Sequence, residues 1–132
     1  MEFTINLNIN FTDDDIENLL ETAFAGDSSD DNKTTWSASC VDIRRIDEAS
    51  PKIGFINGEP FKLHDKISGD DYILDIEKLR QGLNQWLNAP ENYSWLIYQL
   101  WNIDGGAGEF EFSPLVADEI IQYALFDRLM FC

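Results

Sequence analysis

His64 is the only histidine of the chain and the first residue to consider for catalysis. A histidine that serves as a general base needs a nucleophile beside it and a second group that orients its ring. The sequence contains neither a Gly-x-Ser-x-Gly turn nor a Cys-His signature that would supply these groups. We therefore predict a sheet histidine without a catalytic role, no catalytic residues elsewhere, and a protein that is not an enzyme.

Oxygen ligands in residues 27–35, DSSDDNKTT, have the spacing that begins a calcium-binding EF-hand loop. Such a loop also requires Gly at position 6 and Glu at position 12. These positions hold Asn32 and Ala38, so we predict a solvated loop. Because Cys40 and Cys132 also lack the spacing of a metal site, we predict neither a metal nor a cofactor.

The charge balance restricts the class of partner. Twenty-five Asp and Glu oppose nine Lys and Arg, which gives a net charge of −16. This charge repels polyanions and anionic membranes, so we expect no direct binding to nucleic acid or membrane. The sequence also lacks a run of roughly 20 apolar residues and the features of a signal peptide. It predicts a cytoplasmic, single-domain protein, residues 1–132, whose partner is a protein with a basic surface.

Carboxylates in short groups are the candidate partner-binding residues. On a folded scaffold they would imitate the phosphates of DNA and so inhibit a defence or nucleic-acid-processing factor. Helix starts also carry acidic residues for a local reason, since the helix dipole favours them there. The candidates are Asp13, Asp14, Asp15, Glu17, Glu21, Asp70, Asp71, Asp118 and Glu119.

A second hypothesis is a pocket that sequesters a small molecule or nucleotide signal. Its candidate lining residues are Trp36, Arg44, Arg45, Trp95, Tyr98 and Trp101. Trp95, Tyr98 and Trp101 are spaced three residues apart. This spacing also suits the buried face of a helix, which we favour, or an apolar anchor for a partner. A third hypothesis is an interaction protein whose acidity serves solubility alone.

Local signals place seven of the nine acidic candidates on helices, and they place Asp70 and Asp71 in a turn at residues 68–71. Residues 3–11 alternate apolar and polar side chains, which predicts a half-buried strand. Thr12 and Asp15 then form a shortened capping box at the start of a helix, and Gly26 suits the position beyond its end. Asp75 is the predicted N-cap of a second helix.

Residues 36–74 predict a meander of short antiparallel strands. The dipeptide Asn57-Gly58 predicts a type I′ hairpin turn between two of them. Pro60 restricts the strand that follows to a sheet edge or to a start at this point. The strands are centred on Val41 and Ile43, on Ile53 and Phe55, on Phe61 and Leu63, and on Tyr72 and Leu74.

Residues 93–103 are apolar on both sides and fit either a buried strand or a helix begun at Pro90, and we favour the helix. Ser113 and Pro114 begin a further helix, as N-cap and first residue. Residues 128–131 predict a last short strand. The whole pattern predicts an α+β fold: an antiparallel sheet of about four to six short strands, with about three helices packed on one face.

Three blocks of the chain resemble a known family. Residues 116–132, VADEIIQYALFDRLMFC, resemble the C-terminal helix and apolar tail of small acidic proteins encoded by bacteriophages and prophages. Residues 9–26 resemble the opening strand and acidic-capped helix of that family, and residues 70–87 its central strand and Leu-rich helix. The resemblance implies a shared fold, a phage origin and a host protein as partner in a bacterial cytoplasm. It implies no activity.

Overall fold

Helices and a small sheet make an α+β fold, as predicted. The computed structural model describes residues 1–2, 9–27, 33–38, 40–47, 52–102 and 110–131. The helices of these residues are α1 (Asp13–Ala23), α2 (Lys52–Ile56), α3 (Ile76–Asn88), a 3₁₀ turn (Pro90–Asn92), α4 (Tyr93–Asn102) and α5 (Pro114–Phe126). The strands are β1 (Gly26–Asp27), β2 (Thr34–Thr35), β3 (Ile43–Arg45), β4 (Phe61–Asp65) and β5 (Asp71–Leu74).

α1 begins at the predicted capping box. Thr12 Oγ1 accepts a hydrogen bond from Asp15 N at 3.2 Å, and Asp15 Oδ2 accepts one from Thr12 N at 2.8 Å. The helix ends at Phe24, so Gly26 belongs to β1 and the prediction for its position is wrong. The backbone of Gly26 lies against Thr35 of β2, where a Cβ would be 3.1 Å from the Thr35 carbonyl oxygen.

The start of the chain differs from the predicted strand. Residues 9–11 are not in a strand, and residues 3–8 lie outside the described part of the chain. Phe11 instead packs its ring on Phe110 and Phe112, with ring centroids 4.5 and 6.2 Å apart. The strand predicted from the alternation of residues 3–11 is therefore wrong for Ile9 and Phe11. Aromatic packing holds Phe11 against the residues that precede α5.

Within the described residues, five strands form one antiparallel sheet in the order β1-β2-β3-β4-β5, which agrees with the predicted number of about four to six. The predicted loop of residues 27–35 is wrong at its ends, since Asp27 pairs with Thr34. Residues 28–32 lie outside the described residues. Along β4, Phe61 and Leu63 are buried and Lys62 is exposed, so one face of the sheet covers the core.

The strand predicted at Ile53 and Phe55 is wrong, because this segment is α2. Asn57-Gly58 does not make a hairpin turn but ends the helix, with Gly58 at φ 97°. Gly58 N donates to Phe55 O, and Glu59 N donates to Gly54 O. This pair of hydrogen bonds is the Schellman motif, which uses the same left-handed glycine conformation as the predicted turn.

The later helices begin at the predicted caps. Asp75 Oδ1 accepts from Lys78 N at 2.8 Å, and Ser113 Oγ accepts from Val116 N at 3.2 Å. The helix favoured for residues 93–103 is confirmed as α4. With α2, which no helical period indicated, the described residues contain five α-helices, against the predicted number of about three.

α3 and α5 pack directly against each other. A Cβ on Gly82 would be 2.6 Å from Ala124 N and 2.8 Å from Ala124 Cα, so the two helix backbones approach as closely as a glycine permits. Trp86 Nε1 also donates to Glu119 Oε2 at 2.7 Å across the same contact. α3 and α5 together form the centre of the hydrophobic core, where Leu79, Ile120 and Ile121 are buried.

The strand predicted for residues 128–131 is absent, because this segment is held by a side chain. α5 ends at Asp127, whose φ of 60° is left-handed. Gln122 Oε1 then accepts hydrogen bonds from Met130 N and Phe131 N, each at 2.8 Å. In the described part of the chain, no helix combines the length and apolar composition that a membrane crossing requires.

Candidate functional site

The outer face of α1 carries four of the nine acidic candidates. Ile16, Leu19 and Leu20 are buried on its inner face. The acidic residues recur at three- and four-residue intervals, so they lie on one side of the helix over about 12 Å. Asp13, Asp14 and Glu21 are exposed and Glu17 is half-exposed. The sequence of α1, DDDIENLLETA, contains no cation. We call these four side chains the α1 acidic face.

Two of the candidates are buried in the fold and a third is half-buried, and all three are hydrogen-bonded within the fold. Asp15 is 3% exposed, and its Oδ1 accepts from Phe110 N at 3.0 Å. Asp118 is 8% exposed and bonds Gln122. Glu119 accepts the indole N–H of Trp86. A buried backbone or indole N–H needs an acceptor, and these carboxylates supply it.

Asp118 links α5 to the loop after β2. Its Oδ2 accepts from Gln122 Nε2 at 3.0 Å, and Gln122 in turn holds the C-terminal segment. Burial raises the pKa of Asp118, while the amide of Gln122 and the indole of Trp36 act in the opposite direction and nearby Glu119 raises it further. The Trp36 indole faces this carboxylate without reaching full hydrogen-bond geometry.

Asp70 and Asp71 lie at the turn between β4 and β5. Both side chains are exposed, and Asp71 Oδ1 lies 2.6 Å from His64 Nδ1. His64 is opposite Asp71 on one side and Arg44 on the other in the strand register. The histidine is therefore a sheet residue in a polar cross-strand row, and Asp71 already has a partner within the fold.

The residues of the predicted pocket do not form one cavity. Arg44 and Arg45 are consecutive in β3 and so point to opposite faces of the sheet. Arg45 places its guanidinium 3.7 Å from the ring centroid of Phe61. Trp36 packs on Phe24 and Phe131, whereas Trp95 packs on Trp86, Phe110 and Phe112 in a different aromatic cluster. Trp95 is partly buried against the core, so the favoured core interpretation of the aromatic run applies to it in part.

The other two aromatic candidates are on α4 as well. Tyr98 is 61% exposed, so it does not belong to the core. Trp101 is within the helix, but its side chain lies outside the described residues. Among the described side chains, the candidates do not come together as one aromatic and cationic pocket.

A groove of about 680 Å³ lies between α3 and α4, and no sequence pattern predicted it. Its described lining residues are apolar except for two asparagines and one arginine. They are Ile9, Phe11, Arg80, Leu83, Asn84, Leu87, Asn88, Tyr93, Leu96 and Ile97. We call this site the α3–α4 groove. The signal that could have found it is the absence of charge from YSWLIYQLWN, residues 93–102, in so acidic a chain.

Among the described residues, no group of three or more His, Cys, Asp and Glu side chains is arranged to hold a metal ion. Comparisons of the chain with protein-family models, curated proteins and solved structures give no match. The resemblance to small acidic phage and prophage proteins therefore stays a prediction.

Proposed function

We propose that this protein is a non-enzymatic accessory protein that binds the basic surface of a host protein through the α1 acidic face. The observation that carries the proposal is a helix with four outward acidic residues and no cation. Like charges at these intervals repel one another within the helix. A cationic partner would relieve this repulsion, so the face gains most from a basic protein surface.

The proposed partner is a defence or nucleic-acid-processing factor, because its nucleic-acid site is a basic surface. In this mode the protein imitates DNA phosphates and competes with nucleic acid for that site. The phage origin and the bacterial cytoplasm come from the sequence resemblance and belong to the proposal. Electrostatic complementarity of this kind speeds association and weakens as salt screens the charges.

Capture from a bacterial lysate by the tagged protein tests the proposal. We expect a basic nucleic-acid-binding protein to be captured at about 50 mM salt, to be reduced at about 200 mM, and to be released by duplex DNA. The variant D13N/D14N/E17Q/E21Q should lose this capture while it keeps its thermal unfolding transition, since it leaves the cap residue Asp15 intact.

The matched control removes four acidic residues elsewhere on the surface. The variant E2Q/E59Q/E111Q/D127N changes the net charge by the same amount but leaves α1 unaltered. We expect it to retain the captured protein. Equal loss with both variants would assign the effect to net charge alone, and capture that ignores both salt and DNA would contradict the proposed function.

A further inference from the structure

One apolar stripe of α3 faces both α5 and the groove. Leu79, Gly82, Leu83 and Trp86 are buried. Leu83 and the half-buried Leu87 also line the α3–α4 groove. The edge of the stripe at Leu87 is therefore only partly covered within the fold.

The opposite wall of the groove is α4, a helix of ten residues without a charged side chain. Tyr93, Leu96 and Ile97 have the i, i+3, i+4 spacing of one helix face and line the groove together. Ile97 is 67% exposed and Tyr93 is 49% exposed. Exposed apolar patches of this kind mark interaction sites, because water is released when they are covered.

Carboxylates stand next to this apolar lining. Glu91 is in the turn that joins the two walls, and Asp13 and Asp14 follow the lining residue Phe11 by two and three positions. Arg80 is the one cation among the described lining residues, and it forms an ion pair with Glu77. The rim is therefore acidic around an apolar floor, and it is continuous with the α1 acidic face.

We propose that the α3–α4 groove binds a cationic amphipathic helix of the partner protein. Two helix faces with an apolar lining suit a helix that places its i, i+3, i+4 and i+7 anchors between them. Lysines or arginines flanking these anchors would meet the acidic rim. A second copy of this chain does not fit, since both copies carry −16. The inference rests on the proposed function, because it takes the partner to be a basic protein.

A synthetic peptide serves as the probe. It has about 18 residues of Leu and Lys, with Leu at the helical anchor spacing, and it carries a fluorescein label for anisotropy measurements at about 150 mM salt. One control peptide has the same composition in scrambled order, and another replaces every Lys by Gln. We expect the patterned Leu and Lys peptide to bind at least about tenfold more tightly than either control.

Two single variants locate the site. Ile97→Arg changes an exposed groove residue, and Ile67→Arg changes an isoleucine that is 75% exposed in the β4–β5 turn. Both variants alter the net charge equally. We expect I97R to weaken peptide binding by about tenfold or more and I67R by less than about twofold. Tyr93→Arg is a second groove variant, with the same expected loss, in case I97R alters the thermal unfolding transition.

The results separate the inference from the proposed function. Equal weakening by I97R and I67R, or equal binding of the scrambled or the Gln peptide, would overturn the groove as a site for a cationic helix. If D13N/D14N/E17Q/E21Q still loses the lysate partner in that case, the proposed function stands without the groove. If peptide binding depends on the groove but lysate capture is the same for the α1 variant and the unaltered protein, the groove stands as a site for a cationic helix and the proposed function is contradicted.

Discussion

Asp118 is buried in an environment that raises the pKa of its carboxyl group. Burial opposes its charged form, and the hydrogen bond from Gln122 and the nearby indole of Trp36 offset only part of this effect, so its pKa is raised above the ordinary value of 3.8. The folded state then holds the proton more tightly than the unfolded chain. The contribution of Asp118 to the free energy of unfolding therefore falls as pH rises from the pKa of the unfolded chain to the higher pKa of the folded protein.

The variant Asp118→Asn removes this titration. We expect the free energy of unfolding of D118N, relative to the unaltered protein, to increase as pH rises from 3.8 through the raised pKa and then to become constant. Urea unfolding at a series of pH values between about 3.5 and 8 measures this difference. The variant Asp127→Asn, at an exposed acidic position, is measured in the same way as the matched control. A relative stability of D118N that falls with rising pH would contradict the assignment.

Individual acidic residues show why the candidate surface was only partly predictable. Asp13 and Asp14 are exposed, as a helix start with outward positions suggests. Asp15 belongs to the same run, yet its other oxygen binds Phe110 N, which is 95 residues away. Glu119 binds Trp86 at a separation of 33 residues. Spacing within a helix cannot show such partners, because tertiary packing chooses them.

At the scale of elements, local chemistry was predictive where one side chain sets the boundary. Thr12, Asp75 and Ser113 each cap the helix that their sequence predicts. The segment with Phe55 was not predictable in this way, since two apolar residues at alternate positions fit one turn of helix as well as a strand. Its Asn-Gly pair was equally ambiguous, because a hairpin turn and a helix stop both use a left-handed glycine.

The contact between α3 and α5 gives a prediction for Gly82. The Cβ of Gly82→Ala would lie 2.6 Å from Ala124 N and 2.8 Å from Ala124 Cα. These are backbone atoms, so no rotation of a side chain can relieve the clash. We expect a loss of about 1–3 kcal/mol in the free energy of unfolding, since overpacking outweighs the better helix propensity of alanine. Urea unfolding measures it. The exposed control Gln81→Ala should change stability by no more than about 0.5 kcal/mol, and an unchanged G82A would contradict this packing.

At the scale of the whole molecule, burial removes charges of both signs and leaves the surface acidic. Arg44 and Arg45 are buried, and so are Asp15, Asp65 and Asp118. With 25 acidic residues against nine cations in the chain, the outer charge is strongly negative. Self-repulsion of this kind destabilises the folded state, and salt screens it.

Screening should therefore stabilise the protein. We expect the midpoint of thermal unfolding to rise between about 20 and 300 mM sodium chloride, because the repulsion is weakest at the higher concentration. Differential scanning calorimetry measures the midpoint. The variant D13N/D14N/E17Q/E21Q, with four negative charges fewer, should show a smaller rise. A midpoint that falls with salt would mean that favourable ion pairs outweigh the repulsion.

The close approach of Gly82 to Ala124 also bears on how quickly a partner can dock. α3 is fixed against α5 by this backbone contact, and the same helix forms one wall of the α3–α4 groove. A wall held in this way should lose little conformational entropy if the proposed helix of the partner docks there. We would then expect the encounter rate to depend on diffusion and on charge steering toward the acidic rim, and the lifetime of the complex to depend on the depth of its apolar anchors.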